Sequence, residues 1–448
     1  MNARITLPIL LALIAVHVFL AASFATKTPW RTGGIVSIGG GVVKDIGAPD
    51  ERQHANYIAR LAKGEGLPVF NAEDPNLYES YQSHQPPLYY GIAAAWSKLT
   101  GSSAIESRDT GLRLRSLNVI LGAITVAGVF FAAWWATRED AAALGAAAFA
   151  ALIPMHLALS GAVSNDPLLI ALCTWTLAIL ALSVREGWTA ARALTVGLLV
   201  GLALLTKTTA LALLPALLVA VIVRRPNGKA VLAAAVPILI LSLPWFARNQ
   251  SLYGDPFAIG AFNKAFVGSA QKEMMVGQVI PSAQPFADPE IAYWKDWVGF
   301  WTARSFVGVF GYMDIWLTQS GRLSAKFDEN RIYWVVLGVI AVGLLVGLRG
   351  FGDSKSRGVL AIYAIFGLVI LALFVQFNRQ YFQAQGRYIY PALAVWATGI
   401  GLGLSAWKKR PMVGVALLVL LLGGIDALAL SRLDNEFALR IEAGRQSP

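Results

Sequence analysis

The chain has 448 residues, of which 56% are hydrophobic and 14% charged, with a mean hydropathy of +0.58. Soluble globular chains carry about 25% charged residues, so the composition excludes a soluble enzyme and a disordered protein and calls for many membrane spans. The net charge of +11 fits basic cytoplasmic loops better than nucleic-acid binding. The single cysteine, Cys173, excludes an intramolecular disulfide and a cysteine zinc site.

A bilayer core takes about 20 mostly apolar residues per helix. In chain order such runs cover 5–25, 116–136, 141–163, 167–184, 193–223, 230–247, 332–348, 358–376, 391–407 and 411–430. The first is read as an uncleaved anchor, since it is longer than the apolar core of a cleaved signal, about 7–15 residues. The run at 193–223 carries Lys207 near its middle. Read as a hairpin turning at Thr206-Lys207-Thr208-Thr209, it keeps every short cytoplasmic segment basic: Arg4; Arg138; Arg185 and Arg192; Arg224, Arg225 and Lys229; Arg349, Lys355 and Arg357; Lys408, Lys409 and Arg410. A single span would put the last two clusters outside.

The sequence therefore predicts an all-α polytopic membrane protein with about 11 transmembrane helices, its N-terminus cytoplasmic and its C-terminus external. Residues 26–115 and 248–331 become external loops. Residues 86–99 predict an amphipathic helix on the membrane surface, as do parts of 257–316, with Phe300, Trp301, Phe306 and Phe310 at headgroup level. One membrane domain spans 1–430, followed by a short polar C-terminal tail, 431–448, and no internal repeat is visible.

Carboxylates are scarce, 26 in all, so their positions are informative. Asp50, His54, Tyr57 and Leu61 share one face at helical spacing. Asp50 is a candidate general base or metal ligand and equally, with Gln53 three residues on, a capping-box residue. Asp166, in Ser164-Asn165-Asp166-Pro167, is a candidate second acid or an N-cap ahead of a first-turn proline. Lys207, at membrane depth, is either functional or a snorkelling side chain.

Arg248-Asn249 ends the seventh span, Arg387-Tyr388 precedes the tenth, and Arg113 and Arg115 enter the second. Such cations suit lipid headgroups or an anionic ligand such as phosphate, which arginine grips bidentately. In the segment Tyr81 to Tyr90, Pro86 and Pro87 fix the start of the surface helix at Leu88. His84 and Gln85 are then placed to bond a sugar or a phosphate. His17 and His156 read as packed polar residues, and Asp426 as paired or capping. No tight cluster of histidine and carboxylate predicts a dedicated structural metal site.

Five motifs occur in order: Asp50-Glu51, Gln85-Pro86-Pro87-Leu88-Tyr89-Tyr90, Asn165-Asp166-Pro167, Gly201-Leu202-Ala203-Leu204-Leu205-Thr206-Lys207 and Gly386-Arg387-Tyr388. With them the chain resembles the polytopic glycosyltransferases of the GT-C fold. Within that superfamily it is most similar to bacterial relatives of the protein O-mannosyltransferases and to the lipid A aminoarabinose transferase, from residue 1 to about residue 430.

The resemblance implies a polyprenyl-phosphate-linked sugar donor in the bilayer and a lipid, glycan or protein acceptor. Transfer takes place on the outer, periplasmic face of the inner (plasma) membrane, with inversion. It implies Asp50 as catalytic base with Glu51 as its partner, Asp166 as a second acid, and Lys207, Arg248 and Arg387 as ligands of the donor phosphate. His54, His84, Gln85, Tyr89, Asn249 and Tyr388 complete the substrate-binding set. No cofactor is required, while Asp50, Glu51 and Asp166 leave room for a loosely bound divalent cation, Mg or Mn, on the donor phosphate. The 18 residues after the core depart from the O-mannosyltransferases, which continue further, so the acceptor class stays open. A lipid-linked glycan polymerase or ligase is one alternative, disfavoured by the paired acids. A lipid-linked sugar transporter or flippase is the other, disfavoured by nearly charge-free spans and the lack of repeated halves.

Overall fold

Long apolar runs in lipid have no water to satisfy their backbone, so they close their N–H and C=O groups as helices. The computed structural model describes residues 3–30, 48–101, 107–318, 331–350, 354–407 and 409–446. Parts of the two external loops (31–47, 102–106 and 319–330), Lys408 of the last basic cluster, and residues 447–448 of the tail lie outside the described residues.

In chain order, α1 (Ala3–Lys27) is followed by α2 (Glu51–Ala62), α3 (Leu77–Ser80) and the surface helix α4 (Leu88–Leu99). Next come α5 (Arg108–Thr137), the bent pair α6 (Asp140–Leu152) and α7 (Pro154–Ser160), then α8 (Asp166–Glu186). They are followed by α9 (Ala190–Leu204), α10 (Leu213–Val223) and α11 (Gly228–Tyr253). Five short helices, from α12 (Ile259–Ala265) to α16 (Phe300–Val307), lie in the segment after α11 with a two-residue antiparallel pair, Val309–Phe310 and Ile315–Trp316. The bundle closes with α17 (Arg331–Gly347), α18 (Ser354–Asn378), α19 (Leu393–Ser405) and α20 (Pro411–Gln446).

Among the described residues, eight helices are long and apolar enough to cross a bilayer, and α6–α7, bent by 61°, makes a ninth if the pair is one span. The two shorter apolar helices, Ala190–Leu204 and Thr208–Val223, are the limbs of the expected hairpin. Trp188 Nε1 donates to the Arg224 carbonyl at 2.6 Å, which returns the end of α10 to the start of α9. The eleven expected segments are thus present among the described residues.

Small residues allow the close packing that holds helices together in lipid. The alanine-rich α6 is buried almost throughout and receives α19 so closely that a Cβ on Gly401 would collide with the Ala142 carbonyl. α8, 21 residues or about 30 Å long, separates two polar ends. Its Glu186 end gathers Arg138 at 2.5 Å and Arg192 at 2.8 Å, while Arg185 bonds Ser356. Asp166 marks the other end.

Three expectations change. Phe300 and Trp301 pack on Trp316 (5.7 and 5.0 Å between centroids), Phe306 on Tyr390 (5.2 Å) and Phe310 on Phe24 (5.3 Å). The strand pair folds this segment back onto the bundle, so Phe310 is buried in protein core while Phe300, Trp301 and Phe306 are half-buried against it. The polar tail is no loose appendage, because α20 continues through it with Leu433 and Phe437 buried. Lys27–Asp434 (2.7 Å) and Arg440–Asp314 (2.9 Å) tie it down. Asp426 neither pairs nor caps: it is fully buried, and neither carboxylate oxygen has a hydrogen-bond partner. His17 and His156 are packed polar residues, each with Nδ1 on a backbone carbonyl, those of Ala151 and Ala150.

Candidate active site

The site begins where α2 starts. Asp50 sits just before the helix in the left-handed region (φ 63°), which aspartate tolerates better than most residues. Its side chain makes no cap bond, so the capping reading fails. The next residue, Glu51, supplies the anchor. Arg115 Nε and Nη2 grip the two oxygens of Glu51 at 2.8 and 2.7 Å, and Val163 N–H donates to Oε1 at 2.7 Å. The remaining guanidinium hydrogens reach the carbonyls of Ala25, Thr28 and Pro29. Both side chains are buried, at 0% and 1% exposure. A buried ion pair persists when every polar atom is satisfied, as here. Glu51 is therefore structural: its oxygens are spoken for and share no partner with Asp50, so it is available neither as partner of the base nor as a cation ligand.

Asp50 turns the other way. One oxygen accepts from the Tyr81 hydroxyl and the other from Arg387 Nη2. Burial pushes its carboxyl up, but Arg387 and then Tyr81 outweigh that and hold it at about 2. Burial and the nearby Asp50 charge push the Tyr81 phenol up, so it stays protonated and donates.

Asp166 opens α8 but does not cap it. The Ser164 hydroxyl accepts the Asp166 N–H at 3.1 Å, which frees the carboxylate to take Lys207 Nζ at 2.6 Å. Lys207 lies in the break between the hairpin limbs, where α9 stops at Leu204 and a 3₁₀ turn runs from Thr208 to Ala212. Both cations stand over the ring of Tyr388, Lys207 at 5.7 Å and Arg387 at 5.2 Å.

His54, one turn into α2, lies within electrostatic reach of Asp50, Asp166, Lys207 and Arg387. Burial depresses its pKa to about 3, so the ring is neutral. Its Nδ1 lies 2.8 Å from the Tyr90 hydroxyl.

A second layer braces this cluster. His84 Nδ1–H donates to the Tyr81 carbonyl (2.6 Å) and its Nε2 accepts from the Gln85 amide (3.0 Å). Asn165 Nδ2 donates to Gln85 Oε1 (3.3 Å) and to the Thr206 carbonyl (3.2 Å), while Leu88 N–H reaches the Leu205 carbonyl (3.0 Å). The start of α4, the turn before α8 and the hairpin apex are stitched together. His84 and Gln85 spend their polar atoms on this bracing, contrary to the expectation that they reach a ligand directly.

The remaining expected residues lie apart. Arg248 donates to the Pro68 carbonyl at 2.7 Å, stacks over Trp245 and touches neither carboxylate. Asn249 donates to the Pro256 carbonyl at 3.1 Å and shapes that turn. Tyr89 is fully buried beside Asn118 and Ser164 with no well-formed hydrogen bond. Arg113 caps the end of α4 through the Thr100 carbonyl at 2.6 Å. Sequence reasoning did not assign Tyr81 and Tyr90, although both stand in the segment it singled out. No three histidine, cysteine or carboxylate groups gather as metal ligands among the described residues.

The match to known proteins agrees with this architecture. A family model described as a predicted membrane protein, DUF2142, matches residues 78–395. The chain belongs to the DUF2142 family. Among curated proteins, sequence comparison finds no match. Among solved structures, the chain is similar to the oligosaccharyltransferase of Archaeoglobus fulgidus tethered to an acceptor peptide (14% identity, TM-score 0.54), over 96% of this chain and 55% of that one. It is also similar to ArnT of Cupriavidus metallidurans bound to undecaprenyl phosphate (15% identity, TM-score 0.50), over 99% of this chain and 76% of that one. At these identities the likeness is one of fold, and this DUF2142 member has the GT-C fold. It spans about half the length of the archaeal enzyme.

Proposed function

We propose that this DUF2142 protein is a membrane glycosyltransferase that moves a sugar from a polyprenyl-phosphate donor to an acceptor hydroxyl at the outer face of the plasma membrane. The reading is carried by one observation: Asp50 and Asp166 are each paired with a cation, Arg387 and Lys207, around His54. The fold supports it, since the ArnT structure holds undecaprenyl phosphate and a structure of the oligosaccharyltransferase AglB from Archaeoglobus fulgidus holds dolichol-phosphate.

The four charges, two carboxylates and two cations, sum to zero. An incoming donor phosphate competes with the carboxylates for Lys207 and Arg387. Once Arg387 turns to the phosphate, Asp50 loses its strongest stabilising partner and its basicity rises. It can then take the proton of the attacking hydroxyl, an effect typically worth 10²–10⁴-fold. The two cations stabilise the phosphate as the glycosidic bond breaks, and attack from the opposite face inverts the anomeric carbon. Asp166 holds Lys207 in place and is the second acid of the site. The cytoplasmic end is the arginine-rich end of α8, following the positive-inside rule.

The test is to incubate the purified protein with a panel of polyprenyl-phosphate sugars and measure release of free lipid phosphate. Asp50→Asn is expected to lower turnover by about 10²–10⁴-fold while the protein stays inserted, because the side chain caps no helix. Unchanged turnover would remove Asp50 as base, and no lipid phosphate from any donor would remove the transferase reading. Lys207 and Arg387 supply the positive charge, so turnover is expected to survive EDTA, and loss that Mg²⁺ or Mn²⁺ restores would assign a metal.

A further inference from the structure

The chain has four histidines, and all of them are described and buried or half-buried. In three the tautomer follows from a partner that can only accept. Nδ1 of His17, His84 and His156 lies 3.0, 2.6 and 2.7 Å from the carbonyls of Ala151, Tyr81 and Ala150. Nδ1 therefore carries the proton and Nε2 a lone pair. At His84 the Gln85 amide donates to that lone pair.

His54 differs. Its Nδ1 faces the Tyr90 hydroxyl, a group able to donate. Tyr90 is fully buried and makes no other hydrogen bond. Were His54 the donor, the phenolic hydrogen would be left unbonded in the protein interior, at a cost of about 1–3 kcal/mol. Tyr90 is also held in place: Tyr57 stacks on it at 3.8 Å and Tyr89 meets it edge-on at 5.5 Å. With Nδ1 accepting, the single proton of the neutral ring sits on Nε2, which makes no hydrogen bond among the described residues and, unlike Nε2 of His17 and His156, is not sealed inside the protein, so its N–H carries no such cost.

We propose that Tyr90 is a positioning residue that locks His54 as the Nε2–H tautomer, so that His54 offers a hydrogen-bond donor to a ligand oxygen beside the paired carboxylates. This deepens the transferase reading and rests on it only for the ligand. The donor is fixed by geometry and needs no change of protonation, because burial keeps the ring neutral. Tyr57 and Tyr90 thereby gain a role in the site without touching the substrate.

The first test needs no substrate. The full chain labelled with [¹⁵N]histidine in lipid nanodiscs is expected to show three rings protonated at Nδ1 and one at Nε2. His54→Gln removes that one, and Tyr90→Phe takes away the hydrogen bond to its Nδ1 and shifts that nitrogen's resonance. An Nδ1–H ring at His54, or an Nδ1 resonance indifferent to Tyr90→Phe, overturns the proposal.

The second test uses whichever polyprenyl-phosphate sugar supports turnover. Tyr90→Phe is expected to lower kcat about tenfold, one hydrogen bond's worth, with KM little changed. In the His54→Gln background, whose amide donates irrespective of Tyr90, the same change is expected to cost less than about twofold. Equal losses in both backgrounds would reduce Tyr90 to a packing residue. Because the tautomer is read without turnover, its failure is distinguishable from failure of the transferase reading.

Discussion

Asp50 is a poor base in the resting state, and the reason is local. Arg387 and Tyr81 hold it at about 2, so it contributes stability that is complete above the unfolded value of about 3.9 and is lost as pH falls through about 2. His54 and His84, depressed by burial to about 3 and about 4, are neutral through the physiological range. We therefore expect kcat/KM, which reports the free enzyme, to show no inflection between about pH 5.5 and 7.5, where an ordinary histidine titrates. A step near pH 6.5 would mean that one of the two rings is far less enclosed than described. Arg387→Lys keeps the charge and loses the planar fork, so it is expected to weaken donor binding more than Asp50→Asn does, measured as KM. Much at this scale was legible because charge is rare in the chain: Asp50, Asp166, Lys207 and Arg387 stood out by type alone. Their pairing was not, since Tyr81 lies 31 residues from Asp50 and Arg387 lies 337. Adjacency misled for Glu51, whose partner Arg115 is 64 residues away.

Among elements, the hairpin at Lys207 was readable from the alternation of basic segments, and the start of α4 from Pro86-Pro87. Less readable was what an aromatic run does, since a Phe or Trp that fills the core and one that floats at the headgroups are the same letter. Phe310, buried at the core, was misplaced for that reason. The cap position of α8 was missed by one residue: it is Asn165, Ser164 accepts the Asp166 N–H, and the acid itself turns to Lys207. The Glu51–Arg115 pair joins α2, α5, the end of α1 and the turn at Val163. Arg115→Met strands a buried carboxylate, which typically costs about 3–5 kcal/mol, and a clear fall in Tm is expected. Adding Glu51→Leu to that variant is expected to restore part of the loss, since removing both charges leaves nothing unpaired. A double variant no more stable than the single one would contradict the assignment of Glu51 as structural.

For the whole molecule, acid is the expected weak direction. A histidine that is neutral when folded and charged when unfolded favours unfolding as pH falls below about 6.5, and the loss continues until the folded pKa is reached. For His54 and His84 those end points are about 3 and about 4. Thermal unfolding in detergent should therefore move to lower temperature from about pH 6.5 downward, and a midpoint flat to pH 4 would show that these rings open to water. The count of apolar segments came from composition alone, as bilayer thickness leaves few choices. The path of α20 beyond residue 430 did not, because Leu433 and Phe437 are too few among charges to announce a buried stripe.

Arg115 also holds the carbonyls of Ala25, Thr28 and Pro29 with the same guanidinium that holds Glu51. One guanidinium thus fastens the end of α1 to the start of α2, so the position of Asp50 is set by Arg115 and not by the length of chain that joins the two helices.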